Sequence, residues 1–284
     1  MTDVDETPDG PEFTVVIPTY DRPDLLAEAV ASVVAQTVDD WECLIVDDAG
    51  SIGVHPFADP RVRIVRREVN GGAAAALNTG ARLASGRYLT ILADDDLWTP
   101  RRLEIAREGL RRAPLALCAA RFIDQETGEI EDGPNGHVAD TILDGLPPSM
   151  GTVAIERARW LDVREDYRTV EDVEWWLRTA EQCDVASVAE VGYLVRSHAG
   201  VRHLSGSDAR LRDNLRFMSE YADWLNRHPR AKAFRLRRVA YFASLCGERK
   251  TAIRALAASM KLRPSLRTFK QLVLAACGRP RADS

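Results

Sequence analysis

The chain has 284 residues, 45% of them hydrophobic and 29% charged, with a net charge of −5. That apolar content supports a sizeable core in one large domain with a small appendage, and it excludes disorder over the whole length. Five cysteines, odd in number, widely spaced and without a C-x-x-C pair, argue against a disulfide framework or a zinc site and fit a reducing cytosol.

The charge is unevenly placed. Asp3, Asp5, Glu6, Asp9 and Glu12 make the start acidic, whereas from Arg227 onward only Glu248 and Asp283 oppose a long series of arginines and lysines. The acidic, polar start predicts no signal peptide, and without a run of about 18 apolar residues no membrane span is expected. Residues 1–11 read as a disordered leader. Phe13–Ile17 is a short apolar, β-branched run, the pattern of a strand buried on both faces of a parallel sheet. Asp21 is placed to cap the next helix, with Pro23 near its first turn and Leu25, Leu26, Ala29, Val30, Val33 and Val34 at helical spacing.

Cys43–Val46 predicts a second strand ending at Asp47 and Asp48, and Val62–Val65 a third. Gly71 and Gly72 open a helix over Ala73–Ala84, Tyr88–Leu92 is a fourth strand, Thr99 and Pro100 start another helix, and Leu115–Ala120 is a fifth strand. Such alternation with short connections predicts an α/β fold, a mostly parallel Rossmann-like sheet covered by helices on both faces. Residues 121–150 are rich in Gly, Pro and Asp and read as irregular excursions. Glu171–Gln182 is a helix, and Val185–Val188 and Tyr193–Val195 are strands. Beyond a boundary near 205 the pattern is helical: Arg210–Arg227, Ala231–Cys246, Lys250–Lys261 and Ser265–Ala276, punctuated by Pro229, Gly247 and Pro264. The expected division is therefore a leader at 1–11, an α/β domain at 12–205 and a helical region at 206–284.

In open parallel sheets ligands bind beyond the carboxyl ends of the strands. Three polar groups fall there: Pro18-Thr19-Tyr20-Asp21 after strand one, Asp47 and Asp48 after strand two, and Asp94, Asp95 and Asp96 after strand four. Converging carboxylates repel one another and resist burial, a cost that a divalent cation or bound donor groups would offset. One or two of them together with diphosphate oxygens hold Mg²⁺ or Mn²⁺ in the usual way. The plainer alternative is a solvated acidic turn with a capping aspartate. No G-x-G-x-x-G follows strand one and no G-x-x-x-x-G-K-[ST] occurs, which argues against a dinucleotide fold and excludes a P-loop. Gly71-Gly72 at a helix start is placed to bring N–H groups near an anion, or simply to make a tight turn.

Several segments in order resemble glycosyltransferase family 2, which has the GT-A fold. They are Val15–Arg22, Ser32–Thr37, Ile45–Ser51, Asn70–Gly72, Ala75–Gly80, Ala84–Gly86 and Leu92–Pro100. The resemblance implies an inverting transferase that moves a sugar from a UDP-, GDP- or dTDP-linked donor to a glycan or lipid-linked acceptor. It implies that Pro18, Thr19, Tyr20 and Asp21 line the nucleotide pocket, that Asp47 or Asp48 contacts the base, and that Arg22 approaches the diphosphate. Asn70 and Gly72 would flank base and ribose, Asp94 the ribose, and Asp95 or Asp96 would hold Mn²⁺ or Mg²⁺. Two positions depart from the family pattern: Asp21 stands where Asn is usual, and Ala93 where an acid is common.

The resemblance also assigns a general base to the pair Glu171-Asp172, which opens the helix continuing Val173-Glu174-Trp175-Trp176-Leu177. Asp172 would take the acceptor proton. Without the resemblance, the pair reads as acids stabilised by a helix N-terminus. Arg196, His198, Arg202 and His203 form a weaker group, with His198 a candidate metal ligand and an exposed polar loop the alternative. Trp98, Trp175 and Trp176 are placed either to stack on a sugar or, for at least two of them, to pack the core.

The basic tail, with apolar stripes such as Val239-Phe242-Ala243-Cys246, has the pattern of helices that lie on an anionic membrane. A solvated face of an ordinary helical appendage is the alternative, and no nucleic acid is expected. The expectation is a cytoplasmic protein with peripheral contact at the inner face of the membrane. Two other functions compete. A sugar-nucleotide pyrophosphorylase would carry a Gly-rich basic loop after strand one, where this chain has Pro18-Thr19-Tyr20-Asp21. A non-catalytic nucleotide-sugar-binding protein would not need the Asp triplet together with Asp172.

Overall fold

A computed structural model describes residues 10–276 apart from 52, 54, 124–129, 132, 133 and 197–205. The chain divides into two compact units: residues 1–138, 148–165 and 178–199 form the first, and 139–147, 166–177 and 200–284 the second.

The first unit is built on one sheet. Its strands are β1 (Phe13–Thr19), β2 (Trp41–Asp47), β3 (Val62–Arg66), β4 (Tyr88–Ile91), β5 (Leu97–Trp98), β6 (Leu115–Phe122), β7 (Ile130–Glu131), β8 (Val153–Glu156) and β9 (Val185–Val195). The order is β3-β2-β1-β4-β8-β6-β9-β5, with β7 beside β6. From β3 to β4 every pairing is parallel; β8 and β5 then enter antiparallel, while β6 and β9 pair parallel.

Helices α1 (Pro23–Val34), α2 (Ala73–Leu83) and α3 (Arg102–Leu110) cover the sheet. Phe13, Val15 and Ile17 share a buried cluster with Leu26, Ala29, Val30 and Val33 of α1 and Leu103 and Ala106 of α3. Val16 points the other way, because side chains alternate along a strand. It meets α2 at Gly80, where an added Cβ would lie 2.4 Å from its Cγ1. Helices therefore lie on both faces, as the strand–helix alternation predicts.

Local structure departs from expectation at several points. α1 starts at Pro23 with Arg22 at its N-cap and no side-chain cap. Asp21 instead adopts φ 54° and accepts a hydrogen bond from Ser51 Oγ at 2.9 Å. α3 begins at Arg102, because Arg102 N–H closes a tight turn onto Thr99 C=O. The segments read as two strands, Val185–Val188 and Tyr193–Val195, are one strand, β9, which absorbs register shifts against β6 at Cys118 to Ala120. β5 and β8 lacked a sequence signal because they are only two and four residues long.

The second unit contains the start of α4 (Glu171–Ala180) and then α5 (Ser207–Glu220), α6 (Ala222–Arg227), α7 (Pro229–Leu245), α8 (Arg249–Leu262) and α9 (Leu266–Ala276). α7 ends in a Schellman motif. Gly247 takes φ 74°, its N–H donates to Ser244 C=O at 3.2 Å, and Glu248 N–H donates to Ala243 C=O at 2.8 Å. Val239, Ala240, Phe242 and Ala243 of α7 pack with Leu211, Ala252, Ala255 and Leu256. The stripe Val239-Phe242-Ala243-Cys246 therefore faces this helical core rather than a membrane, since stacking helices bury their apolar faces against each other.

Candidate functional site

The carboxyl ends of β1, β2 and β4 carry the acids anticipated there. The β1–β4 ladder ends at Val16 and Ile91, two residues before Pro18, which has no N–H to contribute. β1 continues beside β2 to Thr19. The buried Thr19 hydroxyl donates to Asp94 Oδ2 at 2.8 Å. Arg22 Nη1 is shared between Asp94 Oδ1 at 3.0 Å and Asp95 Oδ2 at 2.9 Å. One cation thus spans two neighbouring carboxylates, and burial still raises the Asp94 pKa against the lowering effects of Thr19 and Arg22.

Asp96 is held separately. Tyr193 OH donates to its Oδ2 at 2.5 Å and Arg196 N–H to its Oδ1 at 2.8 Å. Burial raises its pKa as well, and burial, followed by the Asp96 charge and hydrogen bond, pushes the Tyr193 phenol well above its usual range. Arg196 also donates from Nε to Asp95 C=O at 2.6 Å and pairs with Glu28. The three aspartates point to different partners, as alternation at a strand end requires.

A second acidic group closes the end of β2. Asp47 accepts from Gly50 N–H at 2.9 Å and pairs with Arg66. Asp48 accepts from Gly71 N–H at 3.0 Å and Gly72 N–H at 2.6 Å and pairs with Arg67. The anion at the N-terminus of α2 is therefore the protein's own Asp48 carboxylate, which satisfies N–H groups that a helix start leaves open. Gly72 reaches this geometry at φ 84°, and a Cβ on Gly71 would lie 2.7 Å from Arg67 Nη1.

Asp21 (φ 54°) and Ala49 (φ 61°) are non-glycine residues in the left-handed region, one on each of the loops after β1 and β2. Strain of this kind persists only where neighbours enforce it, and it concentrates at functional sites. Tyr20 and Asn70 are exposed. His198, Arg202 and His203 lie outside the described residues. Among the described residues, no group of three or more His, Cys, Asp or Glu is arranged to hold a metal ion. Asp94 and Asp95 carry hard carboxylate oxygens of the kind suited to Mg²⁺ or Mn²⁺. Asp95 is the more accessible of the two, its side chain 24% exposed against 8%.

In the second unit, Glu171 and Asp172 open α4. Asp172 Oδ1 accepts from Val173 N–H at 2.7 Å. Burial raises its pKa, opposed by that N–H and by the charges of Arg235 and Arg238. Glu171 is pushed up to about 7, by burial first and then by the Asp172 charge, and its Oε2 is buried with no hydrogen-bond partner among the described residues. Arg235 is itself buried, donates from Nη2 to Gly145 C=O at 2.8 Å, and is lowered to about 10 by burial. Two adjacent carboxyls with raised pKa values are the pattern of acid–base chemistry. Trp98, Trp175 and Trp176 are buried, so all three pack the core and leave sugar stacking to other groups.

Sequence reading missed Arg66, Arg67 and Tyr193. The two arginines had a usable signal, because adjacent parallel strands ending in acids and bases in register neutralise each other: Asp47 pairs with Arg66 across β2 and β3. Tyr193 had none, since its link to Asp96 spans 97 residues.

The family model described as Glycosyl transferase family 2 matches residues 14–159. A beta-1,3-glucosyltransferase from Escherichia coli, WfgD, named for transfer from UDP-Glc to a GlcNAc-diphosphoundecaprenol, is 34% identical over 96 residues; the match covers 32% of this chain and 38% of WfgD. The chain thus spans less than two fifths of that relative's length. Among solved structures, Staphylococcus aureus TarS 1–349 in complex with UDP-GlcNAc has a TM-score of 0.61 at 15% identity, covering 94% of this chain and 92% of that one. A mannosyltransferase from Pyrobaculum calidifontis, in complex with GDP-Man and Mn²⁺, has a TM-score of 0.59 at 21% identity, covering 94% and 80%. These two likenesses establish the fold.

Proposed function

The chain belongs to glycosyl transferase family 2, and from that premise we propose that it moves a sugar from a nucleotide-diphosphate donor to an acceptor hydroxyl with inversion. The observation that carries this reading is the Arg22 guanidinium shared by Asp94 and Asp95 at the ends of β1 and β4. Thr19, Tyr20 and Asp21, with Pro18 at the strand end, line the nucleotide. Asp48 or Asp47 bounds the base pocket beside Asn70 and Gly72, and Asp94 faces the ribose.

Asp95 would hold Mn²⁺ or Mg²⁺. Asp96 is the poorer ligand, because both of its oxygens already accept from Tyr193 and Arg196. When bound, the ion supplies positive charge to the departing diphosphate, and Arg22 brings a second positive charge to the same group. Asp172 removes the acceptor proton. The freed oxygen pair forms the new bond to the anomeric carbon as its bond to the diphosphate oxygen breaks, so one displacement inverts that centre. Glu171, protonated below about pH 7, adds no second negative charge beside the base. The acceptor is a glycan or a lipid-linked sugar of the cell envelope, reached from the cytoplasmic side. The nucleotide sugars named for TarS and for the mannosyltransferase, and the Mn²⁺ named for the latter, are in keeping with this donor and ion.

A thermal-shift series with UDP-, GDP- and dTDP-sugars, each with and without Mn²⁺, tests the reading. One donor should stabilise the protein only with the ion, by about 3 kcal/mol at a hundredfold excess over Kd, and Asp95→Asn should abolish the ion dependence. A shift without turnover points to a binding protein, and no shift with any donor overturns the proposal.

A further inference from the structure

The outward side of α9 takes no part in the proposed transfer. Its inward side is marked by buried Thr268 and by Leu272 and Ala275, which pack on the helical core. At about 100° per residue, Leu266, Phe269 and Val273 fall on the opposite side. They are 71%, 52% and 43% exposed, and Leu262 at the end of α8 is 39% exposed. Single exposed apolar residues are ordinary, but a contiguous row of them marks a contact surface.

Cations border the row. Arg263, Arg267 and Lys270 are exposed, and no acidic residue stands between Glu248 and Asp283. Arg237 lies near enough to Arg263 and Arg267 for their charges to add to burial in lowering its pKa. The helix is secured from within: Arg249 Nε donates to Ala275 C=O at 2.9 Å, a cation on the last turn. The row therefore stands ready without needing a partner to form it.

We propose that α9 docks flat on an anionic lipid bilayer, with Leu266, Phe269 and Val273 in the acyl boundary and Arg263, Arg267 and Lys270 among the headgroups. A second copy of the chain would bring the same cations face to face, which disfavours self-association. A polyanion without an apolar phase would leave the row in water.

Co-sedimentation of the full chain with vesicles of phosphatidylcholine alone, or mixed with phosphatidylglycerol, tests the assignment. The expected result is salt-sensitive binding to the mixed vesicles only. The double variant F269S/V273S should bind them about tenfold more weakly, with an unchanged unfolding midpoint because both side chains are exposed. The variant R267E/K270E should also lose binding. Binding to neither vesicle, equal binding by wild type and F269S/V273S, or a dimer that F269S/V273S converts to monomer in analytical ultracentrifugation, would each overturn it.

Discussion

Two acidic sites in this protein are made of the same side chains and are held in opposite ways. On the sheet, every carboxylate of the Asp94–Asp96 triplet has an assigned partner: Thr19 and Arg22 for Asp94, Arg22 for Asp95, Tyr193 and Arg196 for Asp96. At the start of α4, Glu171 keeps a buried oxygen with no hydrogen-bond partner among the described residues, and Asp172 Oδ1 accepts from the N–H of the next residue. Burial raises pKa values at both sites; at the sheet side-chain donors oppose it for Asp94 and Asp96, whereas at Asp172 the opposition comes from backbone N–H groups and the more distant charges of Arg235 and Arg238. A carboxylate surrounded by donors is fixed in position and suits recognition. One left short of them is reactive toward protons, which is what a general base requires.

The comparison breaks most sharply at Asp172. Asp172→Asn should lower turnover by about 10²–10⁴ while leaving donor binding intact in a thermal shift. Equal turnover in variant and wild type would show that the pair is no more than a helix-start ornament.

Glu171 gives the next largest effect. Its carboxyl is raised from 4.5 to about 7 in the folded protein. Folding then favours the protonated form, so its contribution to stability is complete below pH 4.5 and is lost as pH rises through about 7. The span corresponds to at most on the order of 3 kcal/mol. Glu171→Gln should flatten the decline in the urea midpoint between pH 5 and pH 8, and an unchanged slope would disprove the assignment.

Tyr193→Phe sharpens the other side. It removes the donor to buried Asp96 Oδ2 and should cost about 1–3 kcal/mol in chemical denaturation, with no shift in the pH profile of turnover. Thr19→Val, which removes one of two donors to Asp94, should cost about 1 kcal/mol and weaken donor binding more than it lowers turnover.

Much of this was legible in the chain. The β-branched runs at Phe13–Ile17 and Cys43–Val46 can bury only as central parallel strands, so the acids that follow them fall at one sheet edge. The helical periodicity after 205 located α7 and α8 to within a few residues. What pattern misjudged was direction. The stripe Val239-Phe242-Ala243-Cys246 has the composition of a membrane face and proves to be core, because periodicity shows that a face is apolar and not what covers it. Gly71-Gly72 reads equally as a tight turn or as N–H groups near an anion; those N–H groups do meet an anion, but it is Asp48, a contact 23 residues away.

By itself the sequence determined the alternation of strands and helices and the placing of Asp47, Asp48 and Asp94–Asp96 at strand ends, since side-chain period and strand length are local properties. Only the tertiary structure decided which donor each acid receives, which apolar stripe is buried, and that Glu171 has an oxygen unpaired among the described residues. Those outcomes depend on groups brought together from distant positions, and desolvation acts on a side chain only once the rest of the fold has closed around it.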